Sequence, residues 1–144
     1  MLERWKLDPS NDVLDLSADL VYCESDDATT WTVTPVTTDP ADDQNDLAAS
    51  LFFDHQGAAR ITWSSTHFGD PTEDIVQMPV ADRATYPSQA RLLTSTLGTA
   101  DHSPRIVALT IGGRQVYVMV WVRIAAPITV PAINQVVYRV FSDL

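Results

Sequence analysis

The sequence predicts an all-β protein, mainly antiparallel, that folds as a β-sandwich with at most one or two short helices; a jelly roll is one form of such a sandwich. Segments rich in β-branched and aromatic residues recur between short loops. No segment alternates a strand with a long helix, which argues against a parallel α/β fold. Residues 106–124 have the pattern of a long hairpin around Gly112-Gly113. For a chain of 144 residues we expect a single domain, 1–144.

Predicted strands follow one another along the chain. Alternating apolar and polar residues predict a half-buried strand over residues 14–22, with a helix that begins at Ser10 or Asn11 as the alternative. The best helix candidate is 87–97, because its proline suits a first helical position and Gly98 suits a C-terminal cap. The other predicted strands and hairpins are 29–36 with its end at Pro35, 47–65 with a turn at 54–57, 75–80, and 135–141.

The two-residue glycine turn sets the register of the 106–124 hairpin and so separates two apolar faces. The first face is aliphatic and is expected to form the sandwich core. It consists of Val107, Leu109, Val116 and Val118. The second face is partly aromatic, and its cover is either residues 81–98 of the same chain or another subunit. It consists of Ile106, Tyr117, Met119 and Trp121.

The second face also supplies most of the candidate interface. Tyr, Trp and Met are enriched in interface cores, and a face of this size left uncovered would be unusual on a monomer. Apolar residues of the polar N-terminal segment are expected to dock on this chain or on a neighbouring one. The candidate interface residues are therefore Trp5, Leu7, Ile106, Tyr117, Met119 and Trp121.

Charge is distributed unevenly over the chain. The formal net charge is −10 and Lys6 is the one lysine, which argues against nucleic acid as a direct partner. Residues 1–46 carry twelve acidic and two basic side chains, whereas residues 105–144 carry one and four. Either these regions attract each other within one fold, or the acidic third of one copy meets the basic third of a neighbour.

We expect a soluble protein, since no apolar run has the length of a signal peptide or a membrane span.

No local motif for catalysis or metal binding is present. The three histidines lie far apart in sequence. The acidic loop 37–46 lacks EF-hand spacing and is interpreted as solvated. Trp31 and Trp63 alternate with polar neighbours and are expected in the core. No catalytic residue, metal ligand or cofactor is predicted; an enzyme site assembled from distant loops would have to combine His55, His67 or His102 with Asp54, Asp70 or Asp101.

In overall character the chain resembles the minor structural proteins of tailed-phage virions, particularly capsid cement or decoration proteins. It is a small acidic β-protein with Thr- and Pro-rich loops, and it ends in the long strands "RQVYVMVWVRI" and "QVVYRVFSDL". The resemblance implies a β-sandwich or jelly-roll-like fold, a homo-oligomer that is often a trimer, and the major capsid protein or another virion protein as partner. It implies no catalytic residue, no membrane contact, and a location in the virion after assembly in the host cytoplasm.

Two other functions remain open at this point. A β-sandwich module that binds carbohydrate or another ligand would need exposed Trp or Tyr residues along a groove. A different part of a phage virion, from the tail or the head–tail connector, would share the same sequence features.

Overall fold

A computed structural model describes residues 2–7, 14–38, 45–68, 72–95, 98–125 and 134–142, with backbone alone for 2–7 and 14–17. It confirms the all-β, antiparallel prediction. The described strands are β1 (Leu2–Leu7), β2 (Leu14–Glu24), β3 (Thr32–Pro35), β4 (Asp46–Phe53), β5 (Ala59–Ser65), β6 (Asp74–Pro79), β7 (Arg91–Leu92), β8 (Thr99–Ile111), β9 (Arg114–Ala125) and β10 (Asn134–Phe141). One short 3₁₀ helix, Val80–Thr85, lies between β6 and β7.

The strands form three sheets. The first sheet has the order β1-β2-β3, the central sheet β4-β5-β6-β7, and the third sheet β10-β9-β8. Because each sheet joins strands that follow one another in sequence, the described strands form meanders and lack the Greek keys of a jelly roll. Strand β1 has no counterpart among the predicted elements.

The central sheet is buried on both faces, since its side chains alternate between two apolar clusters. On one face Ile61 and Trp63 pack with Leu20 of the first sheet. On the other face Phe52 and Ile75 pack with the third sheet. The molecule is therefore a sandwich in which a middle sheet shares one core with each of its neighbours.

The hairpin of β8 and β9 has the predicted register. Gly112 and Gly113 have φ angles of 58° and 77°, as the predicted turn requires. Leu109 pairs with Val116 and Ile106 pairs with Met119. The register shifts only between His102 and Arg105, where a bulge interrupts β8.

The orientation of the hairpin is the reverse of the predicted one. Tyr117, Met119 and Trp121 are 1%, 0% and 5% exposed, and they lie with Ile106 against the central sheet of the same chain. The aliphatic face points away from the central sheet, and Val107 is 49% exposed. The expectation that the aliphatic face forms the core is wrong, and so is the interface prediction for Ile106, Tyr117, Met119 and Trp121. The side chains of Trp5 and Leu7 lie outside the described residues, so their part of that prediction stays untested.

Polar partners explain why the aromatic face is the buried one. The Trp121 indole Nε1 donates to Asp101 Oδ1 at 2.9 Å. Arg123 binds both oxygens of that carboxylate, at 2.7 Å from Nε and 2.9 Å from Nη2. The Tyr117 hydroxyl lies 3.0 Å from His55 Nδ1. The polar ends of the large side chains are thereby satisfied inside the protein, and their apolar parts fill the core.

The predicted helix 87–97 is wrong. Residues 86–89 form turns, and Arg91–Leu92 pairs with β6. The amide of Leu93 donates to the Ile75 carbonyl at 2.7 Å, and the Ile75 amide donates to Thr94 Oγ1 at 2.8 Å. Pairing with the central sheet outweighs the weak helix propensity of a segment rich in Ser and Thr. Among the described residues of 81–98, Leu93 alone joins the buried cluster of the third sheet, and Phe52 and Ile75 of the central sheet supply further cover.

A second carboxylate–indole pair lies on the opposite face of the central sheet. Trp63 is fully buried, as predicted, and its Nε1 donates to Asp46 Oδ1 at 2.8 Å. Burial raises the pKa of the Asp46 carboxyl, although Ser65, Trp63 and Thr37 donate hydrogen bonds to it. The prediction of a solvated loop is therefore wrong at Asp46. Trp31 also departs from expectation, because it is 57% exposed.

We expect Asp101→Asn to destabilise the protein by about 2–4 kcal/mol. The amide oxygen can still accept from Trp121, but Arg123 loses the carboxylate, and removing one partner of a buried ion pair costs about 3–5 kcal/mol. The expected loss of stability is smaller than that because the Arg123 side chain is 23% exposed, so water can solvate part of its charge. Urea unfolding monitored by circular dichroism measures the change. The control Asp26→Asn removes an exposed carboxylate and should change stability by less than about 0.5 kcal/mol. A loss no larger than the control's would contradict this role of Asp101.

We expect Asp46→Asn to remove one component of the pH dependence of stability. The raised pKa means that the folded protein disfavours ionised Asp46. The stability tied to this group is fully present below its unfolded pKa of about 3.9 and is lost as the pH rises through the folded value. Relative to the wild type, the variant should therefore gain stability as the pH rises from about 4 and level off above the folded pKa. Urea midpoints of both proteins across this range test the expectation; a difference independent of pH contradicts it.

Candidate functional site

The feature of the described structure that calls for a partner is the outer face of the third sheet. We use "outer face" for the apolar side chains of β8, β9 and β10 that point away from the central sheet. The register places them side by side in neighbouring rows. They are Ala100, Val107, Leu109, Ile111, Val116, Val118, Val120, Val122, Ile124, Val136, Tyr138 and Val140.

The outer face is unusually exposed for its composition. Val136 and Tyr138 are 78% and 72% exposed, and Ile111 and Val140 are more than half exposed. Seven side chains of the face are at least 38% exposed, and at roughly 100 Å² each they present on the order of 700 Å². The largest apolar patch on a typical monomer is about 300–600 Å². An outer sheet that shields a core on one side normally carries polar residues on the other, so this composition indicates a contact surface.

The charged side chains of the three strands leave the centre of the outer face free. Arg105 lies on the β8 side, where its Nη1 donates to the carbonyl of Pro104 at 2.8 Å. Arg114 lies at the hairpin turn. Asp101, the one acidic residue in the described strands of this sheet, is fully buried and paired. An apolar centre with charges at its rim is the usual anatomy of a protein interface.

Strand β10 extends the surface to the edge of the sheet. It pairs with β9 along Asn134–Phe141, and no other described strand pairs with its free side. Exposed regular edge strands are commonly protected by charge, proline or a bulge. Arg139 carries the one charge in β10; it turns to the inner side, where its Nη1 donates to the Leu93 carbonyl at 3.2 Å and its guanidinium lies 4.9 Å from the Phe141 ring centre.

The three histidines lie in separate environments. His55 contacts the Tyr117 hydroxyl, His67 packs against the rings of Phe68 and Tyr86, and His102 forms an ion pair with Glu73. Within the part of the chain that the structure describes, no three His, Cys, Asp or Glu side chains are placed to hold a metal ion.

Four of the carboxylates considered as ligands in the sequence lie outside the described residues. They are Asp39, Asp42 and Asp43 of the acidic loop, and Asp70 of a later loop. Among the candidates that are described, Asp54 binds Arg60 at 2.8 Å, and Arg60 lowers the pKa of the Asp54 carboxyl.

The acidic turn after β2 is satisfied locally. Asp27 accepts hydrogen bonds from the amides of Thr30 and Thr29 at 2.7 and 2.8 Å and from the Ser25 hydroxyl at 3.0 Å. These bonds hold the pKa of the Asp27 carboxyl well below its usual range. The carboxylate therefore shapes the turn, and the shallow depression beside it has the character of a solvent-exposed loop.

Sequence reasoning identified the hairpin and its two apolar faces, but it took the aliphatic face for the one that forms the core. Both faces of β9 are apolar, so alternation alone could not distinguish them. The signal that could have done so is Asp101. Its register partner is Arg123, and Trp121 lies two positions before Arg123 on the same face, so one buried carboxylate can accept from both side chains. The contribution of β10 was missed because its pairing with β9 crosses a long connection.

We expect the pair of His102 and Glu73 to make stability depend on pH near neutrality. The hydrogen bond to Glu73 raises the pKa of His102 above its ordinary value of about 6.5, although partial burial opposes the shift. The associated stability is fully present below about pH 6.5 and is lost as the pH rises through the folded value. His102→Gln should remove this loss, as measured by urea midpoints on both sides of neutrality. Glu73→Gln is the matched variant and should remove the same component; a decline that persists in both contradicts the assignment.

Two further findings bear on function. No helix in the described residues is long and apolar enough to cross a membrane. Comparisons with protein-family models, curated proteins and solved structures find no match to this chain. The functional argument therefore depends on the outer face.

Proposed function

We propose that this protein is a non-enzymatic structural component of a virion, of the capsid cement or decoration type, which associates with copies of itself and bridges neighbouring shell subunits. The outer face is the observation that carries the proposal. Its area is close to the roughly 800 Å² per partner of a standard protein interface. Two of its strands are the long final strands that are part of the overall resemblance of the chain to phage structural proteins.

The composition of the outer face suits a contact that holds its partner without chemistry. Its side chains are mostly valine, which has a single stiff χ angle. They lie on strands that are already ordered by pairing on β9. Little conformational entropy is therefore lost when a partner covers them. A binding site for a small ligand would instead be concave, with a few convergent polar groups.

The use of ionisable groups supports the same proposal. The four described carboxylates that are buried have structural partners. Asp101 holds Trp121 and Arg123, Asp46 holds Trp63, Asp54 binds Arg60, and Asp74 accepts from the Thr94 hydroxyl. An acid or base for catalysis needs a perturbed group that faces a substrate site. Asp101 and Asp46 face the two cores, where they orient side chains of the fold.

Analysis of purified virus particles tests the location. Virions produced from the genome that encodes this chain should contain the protein by mass spectrometry, and gold-labelled antibody should mark their outer shell. Labelling confined to the tail or connector would redirect the proposal to another virion part. Absence from washed particles, with the protein present in the lysate, would refute it.

We expect the wild-type protein to self-associate and a double variant of the outer face to do so much more weakly. Val136→Asp with Tyr138→Asp places carboxylates in the interface, and because both positions are largely exposed the fold should persist. The association constant should fall at least about 100-fold, since buried unpaired charges are costly. Light scattering across a concentration series measures the effect.

A matched control for that experiment is available outside the outer face. Val33 of β3 is 58% exposed and Trp31, just before β3, is 57% exposed, so the double variant Trp31→Asp with Val33→Asp introduces the same two charges away from the outer face. It should leave association within about 2-fold of the wild type, a change of about 0.4 kcal/mol. Equal weakening by both variants would show that added charge alone disperses the protein.

A further inference from the structure

We propose that the outer face of one copy packs against the outer face of a second copy across a two-fold axis, so that the protein forms a dimer. This inference rests on the proposed function in one respect, the use of the outer face for self-association. It adds the identity of the partner surface and the number of copies.

The first argument is the match of area and composition. A contact between different surfaces of two copies needs a second apolar surface to cover the outer face. Beyond the outer face, the large apolar side chains that are exposed in the described residues form two small groups, one at β3 and one on β4. They are Trp31 with Val33, and Leu51 with Phe53. Each group is far smaller than the outer face, which exposes on the order of 700 Å². The best match for the outer face within the described chain is therefore the outer face of a second copy.

The second argument is charge. With a formal net charge of −10, two copies repel each other through most contacts. The three strands of the third sheet place arginines and no acidic side chain on the outer face. Arg114 lies at the hairpin turn. Arg105 lies opposite Val120 on the edge strand β8, and its Nη1 turns to the carbonyls of Pro104 and Ala48. Two acidic chains can therefore approach here without bringing carboxylates together.

The third argument is geometry. Two sheets pack face to face about 10 Å apart, with their strands within about 30° of each other. Strand β9 lies between β8 and β10, so the centre of the outer face is on β9, near Val118 and Val120. A two-fold axis that passes there places each of these residues close to its own copy in the partner. Such a contact is self-complementary and closes at two subunits. The trimer that the resemblance implies would need a heterologous contact instead.

Paired charge variants at the proposed axis test the inference. Val118→Asp and Val118→Lys are made as separate proteins, and the same pair is made at Val120. Each variant alone should be monomeric, because like charges meet across the axis. An equimolar mixture of the Asp and Lys forms should give a heterodimer by native mass spectrometry for at least one position. The wild type should have the mass of two chains, and circular dichroism checks that each variant is folded.

The control pair is Val33→Asp and Val33→Lys, which should remain dimeric alone and show no preference for the mixed species. A wild-type mass of three or more chains, or failure of mixing to restore dimers at both positions, overturns the two-fold contact and leaves the structural role standing. If the outer-face variants fail to fold, the wild-type mass still decides between two copies and a larger ring. A wild-type monomer at tens of micromolar overturns this inference; loss of the protein from washed particles is the separate result that overturns the proposed function.

Discussion

The Asp101 carboxylate decides which way the third sheet faces. Strand β9 alternates between two apolar sets, and a shift of one residue would exchange them. Hydrophobicity alone does not choose, since valines are as apolar as the residues that are buried. Asp101 is fully buried, and it is satisfied only if Trp121 and Arg123 turn to the same side of the sheet. Tyr117 and Met119 follow because they occupy the same face of β9.

The same kind of interaction anchors the other core. Asp46 begins β4 and accepts from the indole of Trp63, much as Asp101 accepts from Trp121. The two pairs lie on opposite sides of the central sheet, one in each apolar cluster. Each fixes a large side chain whose polar atom would otherwise be unsatisfied. The two acids differ in one respect: Arg123 neutralises Asp101, whereas burial raises the pKa of Asp46.

The sequence predicted the elements that depend on local pattern. The hairpin at Gly112-Gly113, the hairpin 47–65 and the strand that ends at Pro35 follow from turn chemistry and β propensity, and all three are confirmed. The 87–97 segment failed because hydrogen bonds to distant Ile75 outweigh its own preference.

The side of the sheet that is buried depends on contacts far apart in sequence, and it was predicted wrongly. Trp31 was expected inside because it alternates with polar neighbours, yet it lies just before β3, the edge strand of the first sheet, and is 57% exposed. The sequence showed that β9 has two apolar faces, more than one core would cover. It made the aromatic face the candidate interface, since aromatic residues are common in interfaces, with residues 81–98 of the same chain as the alternative cover. Aromatic residues with buried polar partners are equally suited to a core. Here the hydrogen bonds of Asp101 with Trp121 and Arg123 place the aromatic face in the core.

What remains outside is a face whose side chains need no such partners. The valine side chain carries no polar atom. It can therefore face water in the free protein and an apolar surface in a complex, and neither leaves a hydrogen bond unsatisfied. The strands beneath it are held by the same register that buries Tyr117 and Met119, so the surface is ordered before any partner arrives. A preorganised partner surface lowers the entropic cost of association. The network that fills the core of the third sheet thereby also prepares its outer face for contact.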